Sequence, residues 1–173
     1  VAVDPKNGNV LAMVGSKNFS AQDYDGQVNV ALSLRQPGSA IKPVTYVTAL
    51  KKGYTASHLL IDTPTEFPGG ADLPSYKPEN YDGKFRGPMQ VRFALANSIN
   101  VAAVKMLSQA GLREMLKTAY DLGITTLEPT KENLQRLGLS VTLGGGEVKL
   151  LDITGAYQAF ANGGIRYDPV FIL

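Results

Sequence analysis

The hydrophobic spacing of this chain switches at Ser39, and that switch limits the folds open to it. The opening stretch VAVDPKNGNVLAMVGS has the alternation and turn residues of a β-hairpin: Val1 and Val3 on one side, Asp4 to Asn9 as the turn, then an apolar run from Val10 to Val14. From Ser39 onward the spacing is helical, with Ile41, Val44, Val47, Ala49 and Leu50 on one stripe and Gly53 closing it. Pro43 removes one backbone donor, so it belongs in the first turn or at a kink. Helical spacing returns over Met89 to Ala96 and over Val101 to Gly111, with the polar NSIN at 97–100 between them. Two more helices are predicted over Arg113 to Leu122 and Leu150 to Ala161. The second follows a glycine turn, LGGGEV, and ends at Asn162-Gly163-Gly164. Val30 to Leu34 is read as a short helical turn, and IRYDPVFIL as extended. The total is roughly five helices and three extended pieces, a mixed α and β chain.

One tract resists this scheme. Thr63 to Gly87, about 25 residues rich in Pro, Gly, Asp and Tyr, is predicted as a single loop. A loop that long in a compact domain is usually functional or disordered.

Composition removes several function classes. The chain has 173 residues, enough for one domain with a hydrophobic core, and 44% of them are apolar. Seventeen basic residues against 15 acidic leave a net charge of +2, with no basic run, so nothing points to nucleic acid. The absence of cysteine excludes disulfides, thiolate metal sites and a cysteine nucleophile. His58 is the sole histidine and has no second histidine or carboxylate cluster beside it. It is read as a loop or helix-end residue, and no metal or cofactor is expected. No stretch approaches the roughly 18 apolar residues of a membrane span.

The chemistry concentrates in RQPGSAIKP at 35–43. Ser39 and Lys42 are three residues apart, which on a helix puts them on one face with Cβ atoms about 5–6 Å apart. A serine hydroxyl becomes a good nucleophile only when a base takes its proton. Lysine is such a base once burial or a neighbouring cation lowers its pKa from about 10.4 towards 7. By itself this spacing also fits Ser39 as a helix N-cap. Gly144-Gly145-Gly146-Glu147 is read as a structural turn, because no Gly-Lys-Ser/Thr follows it. Glu79, Asp82 and Lys105 are read as solvated charges.

The whole string RQPGSAIKP resembles the active-site serine motif of penicillin-binding proteins, in the form found in the class A, bifunctional enzymes. S-x-x-K is one mark of that superfamily and S-D-N another. The second is present in relaxed form as Ser98-Ile99-Asn100, 59 residues after Ser39. YKPENYDGKFRGPMQVRFAL, ALANSINVAAVKM and LGLSVTLGGGEVKLLDITGAYQAFANGG are also similar to the family, in the family's order, and VAVDPKNGNVLAMVG resembles its first two sheet strands.

The resemblance implies a β-lactamase/transpeptidase-like fold of the α+β kind, truncated to a helical lobe plus the first two strands of the central sheet. Ser39 would be the acylated nucleophile and Lys42 its proton acceptor. Ser98 would shuttle a proton, and Asn100 would bind the substrate amide or orient Lys42. The substrate would be a peptidoglycan stem peptide ending in D-Ala-D-Ala, with β-lactams as acylating inhibitors, at the extracytoplasmic face of the bacterial membrane. The third family mark, K-[ST]-G on an inner strand, does not occur in the 173 residues; Lys117-Thr118-Ala119 is the nearest approach. Residues 1–173 are therefore expected to be the leading part of a transpeptidase domain, with the K-[ST]-G region and any membrane anchor outside the sequence. Such a piece is expected to be weakly active alone. It would also expose the edge of its hairpin, to be covered by self-association or by its own C-terminal Phe171-Ile172-Leu173. Two alternatives stay open: a non-catalytic wall-peptide-binding or sensing module on the same scaffold, and a serine β-lactamase or D,D-carboxypeptidase.

Overall fold

The computed structural model describes residues 1–68 and 75–172. Residues 69–74 of the long loop, and Leu173 of the C-terminal tripeptide, lie outside the described residues. The hairpin forms as expected: β1 (Ala2–Val3) pairs antiparallel with β2 (Val10–Ala12). The chain then reaches β3 (Leu34–Arg35) and a 3-10 turn over Gly38–Ile41, which runs directly into α1 (Lys42–Lys51) with Pro43 in its first turn. Beyond it lie β4 (Leu59–Asp62), β5 (Gly87–Gln90), α2 (Val91–Ala96), α3 (Asn100–Ala110), α4 (Leu112–Asp121) and α5 (Lys131–Arg136). The described chain closes with β6 (Val148–Lys149) and α6 (Leu150–Ala161).

The core is built around α3. Val101, Ala102, Ala103, Val104, Met106, Leu107 and Ala110 are all inaccessible to solvent, so this helix is covered on nearly every side. It lies between two apolar clusters. One joins Ile41 and Val44 to Leu107, Met115, Leu116, Ile124 and Leu127. The other joins Tyr46 and Ala49 to Leu60, Val91, Ala94 and Met106. Both clusters draw on α1 and on α3, so burial of their side chains fixes these two helices together. Each fully buried Leu or Met contributes about 1.5–3 kcal/mol to that docking.

Several local expectations give way to pairings made over long distances. Met89 and Gln90 are not the start of a helix; they belong to β5, paired with β4 from Leu59↔Gln90 to Asp62↔Gly87. A short apolar run is ambiguous in period, and the presence of β4 as a partner decides it. Leu34 likewise leaves the predicted helical turn for β3, where it faces Lys149 of β6. The balance among the described residues is six helices and six short strands rather than five and three. The long loop is pinned by an isolated bridge between Phe67 and Tyr76.

The edge of the hairpin is partly covered by the chain itself. Asn9 and Val170 form a parallel bridge: Val10 N donates to Val170 O at 2.8 Å and Val170 N to Gly8 O at 3.0 Å. The covering residue is thus Val170. Phe171 and Ile172 remain exposed, as do Leu11 and Val14.

Candidate active site

The turn that carries Ser39 is held from three directions. On its upstream side, Arg35 of β3 pairs with Val148 of β6. From α6, the Tyr157 hydroxyl donates to Ala40 O at 2.9 Å. From the glycine turn, Gly144 packs so closely that a Cβ there would lie 2.5 Å from Gly38 N and 2.6 Å from Gly38 Cα. Gly144 also has φ of 100°, a conformation that suits glycine. The glycine turn is therefore structural, as its sequence implied, and what it supports is the serine turn. A buried bond between Thr45 and Thr142 hydroxyls, 2.8 Å long, ties α1 to the segment just before it. Ser39 itself is exposed, and its side chain does not cap the helix.

Lys42, the first residue of α1, is 1% exposed. Its ammonium donates to Ser98 O at 2.6 Å, to Ser98 Oγ at 3.1 Å and to Asn100 Oδ1 at 2.6 Å. All three donors of the amine are thereby used. Among the described residues no carboxylate approaches it, and burial alone lowers its pKa from 10.5 to about 8. Three of the four residues singled out in the sequence thus converge through direct hydrogen bonds. Ser39 precedes Lys42 by one turn; its carbonyl accepts from the Lys42 backbone N–H, and among the described residues no side-chain hydrogen bond joins the two.

Ser98 owes its position to an unusual backbone. With φ of 52°, it is the non-glycine residue with positive φ among the described residues. It follows the C-cap Asn97 of α2, where the left-handed conformation that ends a helix is normally taken by glycine. Adopting it costs a serine about 1–2 kcal/mol. In this conformation Ser98 turns both its carbonyl and its hydroxyl to Lys42.

Asn100 opens α3, and the residue before it, Ile99, has no side chain able to cap the helix. The cap comes from Asn80, 20 residues upstream in the long loop. Asn80 Oδ1 accepts from Asn100 N at 3.0 Å and from Val101 N at 3.1 Å. Its amide nitrogen donates to both oxygens of Asp62, at 2.9 and 3.0 Å, and to Lys84 O at 2.8 Å. Asp62 is fully buried at the end of β4, accepts from Arg86 N at 3.0 Å and lies 3.9 Å from the Arg86 guanidinium. Asn100 Nδ2 donates to Glu79 O at 2.9 Å, which turns its oxygen to Lys42. Glu79 therefore acts here through its backbone. A cavity of about 210 Å³ opens beside Ser98, lined by Asn80, Tyr81, Asp82, Arg86 and the 97–100 segment.

The sequence reading missed Asp62 and Asn80. One signal was available: in LLID, strand alternation puts Asp62 on the same face as the apolar Leu60, and both are buried. Lys105 is also not a free charge; its amine holds Ile61 O at 2.5 Å and Thr63 Oγ1 at 3.3 Å. Asp82 pairs with Arg86 at 2.7 Å, and that hydrogen bond holds its carboxyl below the usual range. His58 lies edge-on to Tyr54 and meets Gln109 at 3.3 Å, apart from the lysine cluster's hydrogen bonds.

A buried lysine one turn after an exposed serine, hydrogen-bonded to a second serine and an asparagine, thus lies at the head of this helical core. Residues 1–173 match the family of the penicillin binding protein transpeptidase domain, and the chain belongs to that family. It is 37% identical over 172 residues to penicillin-binding protein 1A of Aquifex aeolicus, covering 99% of this chain and 22% of that protein. It is likewise 37% identical to penicillin-binding protein 2D of Bacillus subtilis, covering 23% of it. The chain therefore spans about a fifth of the curated relatives it matches. Among solved structures, penicillin-binding protein 1A from Haemophilus influenzae superposes with a TM-score of 0.84 at 29% identity, over 97% of this chain and 24% of that one. PonA1 of Mycobacterium tuberculosis in complex with penicillin V shares the fold at a TM-score of 0.81 and 23% identity.

Proposed function

We propose that this chain is the part of a peptidoglycan D,D-transpeptidase domain that carries the serine nucleophile, acting at the extracytoplasmic face of a bacterial membrane. The observation that carries the reading is the buried Lys42 amine, bonded to Ser98 and Asn100 one turn after an exposed Ser39. Family membership supports the same reading.

In this scheme Lys42, with a pKa of about 8, is neutral in roughly one molecule in ten at pH 7. Neutral Lys42 takes the Ser39 hydroxyl proton as Oγ attacks the carbonyl between the two D-alanines of a stem peptide. The C–O bond forms and the carbonyl electrons move to oxygen. In this scheme the Ser39 backbone N–H, at the start of a helical segment, donates to that oxygen. The tetrahedral species collapses with cleavage of the C–N bond. The departing D-Ala amine receives its proton from the Lys42 ammonium through Ser98 Oγ, which donates and accepts at once. The amine of a neighbouring stem then attacks the acyl-enzyme and loses its proton along the reverse route, leaving a cross-link and free Ser39. Asn100 keeps Lys42 aimed at Ser98 throughout. A β-lactam enters the same first step, its ring amide replacing the D-Ala-D-Ala bond.

The test is acylation by a fluorescent penicillin in the complete protein, with the adduct located by mass spectrometry of its peptides. The label is expected on Ser39 and is expected to vanish in Ser39→Ala. Labelling that persists in Ser39→Ala would overturn the assignment.

A further inference from the structure

We propose that Asp62 and Asn80 form a positioning relay for the lysine centre, so that the end of β4 and the long loop set the aim of Lys42. The inference rests on the transpeptidase reading given above for its kinetic consequence, but its geometry stands apart from it. Asn80 is 5% exposed and Asp62 is fully buried, and neither is a hydrogen-bond partner of the Lys42 amine. They act through Asn100. Asp62 accepts from the Asn80 amide nitrogen, which forces the Asn80 oxygen to face the first two N–H groups of α3. A flipped amide would set its NH2 against those two N–H groups and its oxygen against a carboxylate, so a single orientation is allowed. With the start of α3 fixed, the neighbouring Glu79 carbonyl holds the Asn100 nitrogen, and the Asn100 oxygen is left for Lys42.

A helix start needs a capping group, and a nearby Ser, Thr or Asp would serve. A cap delivered by a buried carboxylate and asparagine from another segment does more. It joins the loop, β4 and α3 at the point where the lysine's hydrogen-bond partners begin. Arg86, anchored to Asp62 through its backbone N–H and facing Asp82 with its guanidinium, secures the far side of the same loop.

The relay predicts which substitutions fail and which pair restores function. In the complete protein, Asn80→Asp sets two carboxylates face to face, and Asn80→Ala removes the link altogether. Either change should slow acylation of Ser39 by a fluorescent penicillin about 10- to 100-fold, measured per folded molecule, the size expected when reacting groups are misplaced by about 1 Å. Asp62→Asn alone should also slow it. The exchanged pair, Asp62→Asn with Asn80→Asp, restores a donor to an acceptor and keeps an acceptor on α3, so it should recover most of the rate. A purely structural role would lower the folded fraction and leave the rate per folded molecule unchanged, and that result would overturn the proposal. So would an exchanged pair no better than the worse single variant. NMR titration of the Lys42 amine separates this inference from the functional reading. In Asn80→Ala the ammonium loses a firmly held Asn100 oxygen, so its pKa should fall below that of the parent protein. If the parent is not acylated at Ser39, the transpeptidase reading fails, and the titration still decides the relay: an unchanged Lys42 pKa would overturn it.

Discussion

Lys42 Nζ lies 2.6 Å from the side-chain oxygen of Asn100, across 58 residues of sequence, and the lysine is 1% exposed. An amine in that position is held by neutral oxygens alone, so water's solvation is replaced only in part. The result is a lysine that releases its proton near pH 8 instead of above 10.

The first prediction follows from that value. Acylation of Ser39 in the complete protein should rise with pH through about 8 as Lys42 becomes neutral, then level off. Lys42→Met should lose about 10²–10⁴-fold in acylation rate. Stopped-flow measurement with a chromogenic cephalosporin between pH 6 and 10 checks both. A flat profile would remove Lys42 as the base.

The same shift has a consequence for stability. The folded pKa, about 8, lies below the 10.5 of an ordinary lysine, so between these values the unfolded chain binds more protons than the folded one. Stability must then rise with pH across that window, and below about pH 8 the whole burial penalty is felt. The difference in melting temperature between the parent and Lys42→Met should therefore move in favour of the parent from pH 8 to pH 10. Thermal melts of both proteins across that range test the sign.

Ser98 sets activity against stability. Its backbone occupies a position where glycine is at ease, and the serine is retained there at a cost of about 1–2 kcal/mol. Ser98→Gly should raise the unfolding free energy by about 1 kcal/mol, reduced by the loss of the hydroxyl contact to Lys42, and should sharply reduce acylation. Denaturant unfolding and penicillin labelling of the same sample would show the two effects moving in opposite directions. A variant that is both destabilised and fully active would contradict this account.

Gly144 and Gly155 should respond oppositely to alanine. At Gly144 a methyl group meets the Gly38 backbone, which cannot yield without moving the serine turn, and φ is 100°. Gly144→Ala should cost about 2–4 kcal/mol from strain and overpacking together. At Gly155, inside α6, a Cβ meets nothing within 4 Å. Gly155→Ala should stabilise by about 0.5–1 kcal/mol. Paired unfolding curves provide the comparison.

Tyr46 carries a hydroxyl that is buried without a hydrogen-bond partner among the described residues, and burial pushes its pKa upward. Removing an unsatisfied polar atom relieves its desolvation. Tyr46→Phe should therefore leave stability unchanged or raise it by about 1 kcal/mol. A loss of more than that would mean the hydroxyl has a partner, such as a bound water.

Local chemistry in the sequence was sufficient for α1, α3, α4 and α6. Their apolar stripes and glycine ends are short-range signals, and α6 runs from Leu150 to Ala161 as those signals imply. The spacing of Ser39 and Lys42, and the string around Ser98 and Asn100, were equally legible, because each motif lies within a few consecutive residues. What the sequence could not supply was any relation between distant segments. Met89 became a strand residue because β4 was there to pair with it, and Leu34 because β6 was. The start of α3 lacked a local cap, and the missing acceptor came from Asn80, oriented by a carboxylate a further 18 residues upstream. Lys42 shows the division in one residue. Its place one turn after Ser39 is written in the chain, but its burial, and hence its readiness to act as a base, depends on the packing of α1 against α3. Desolvation is a property of surroundings, and those surroundings exist only once the core has formed.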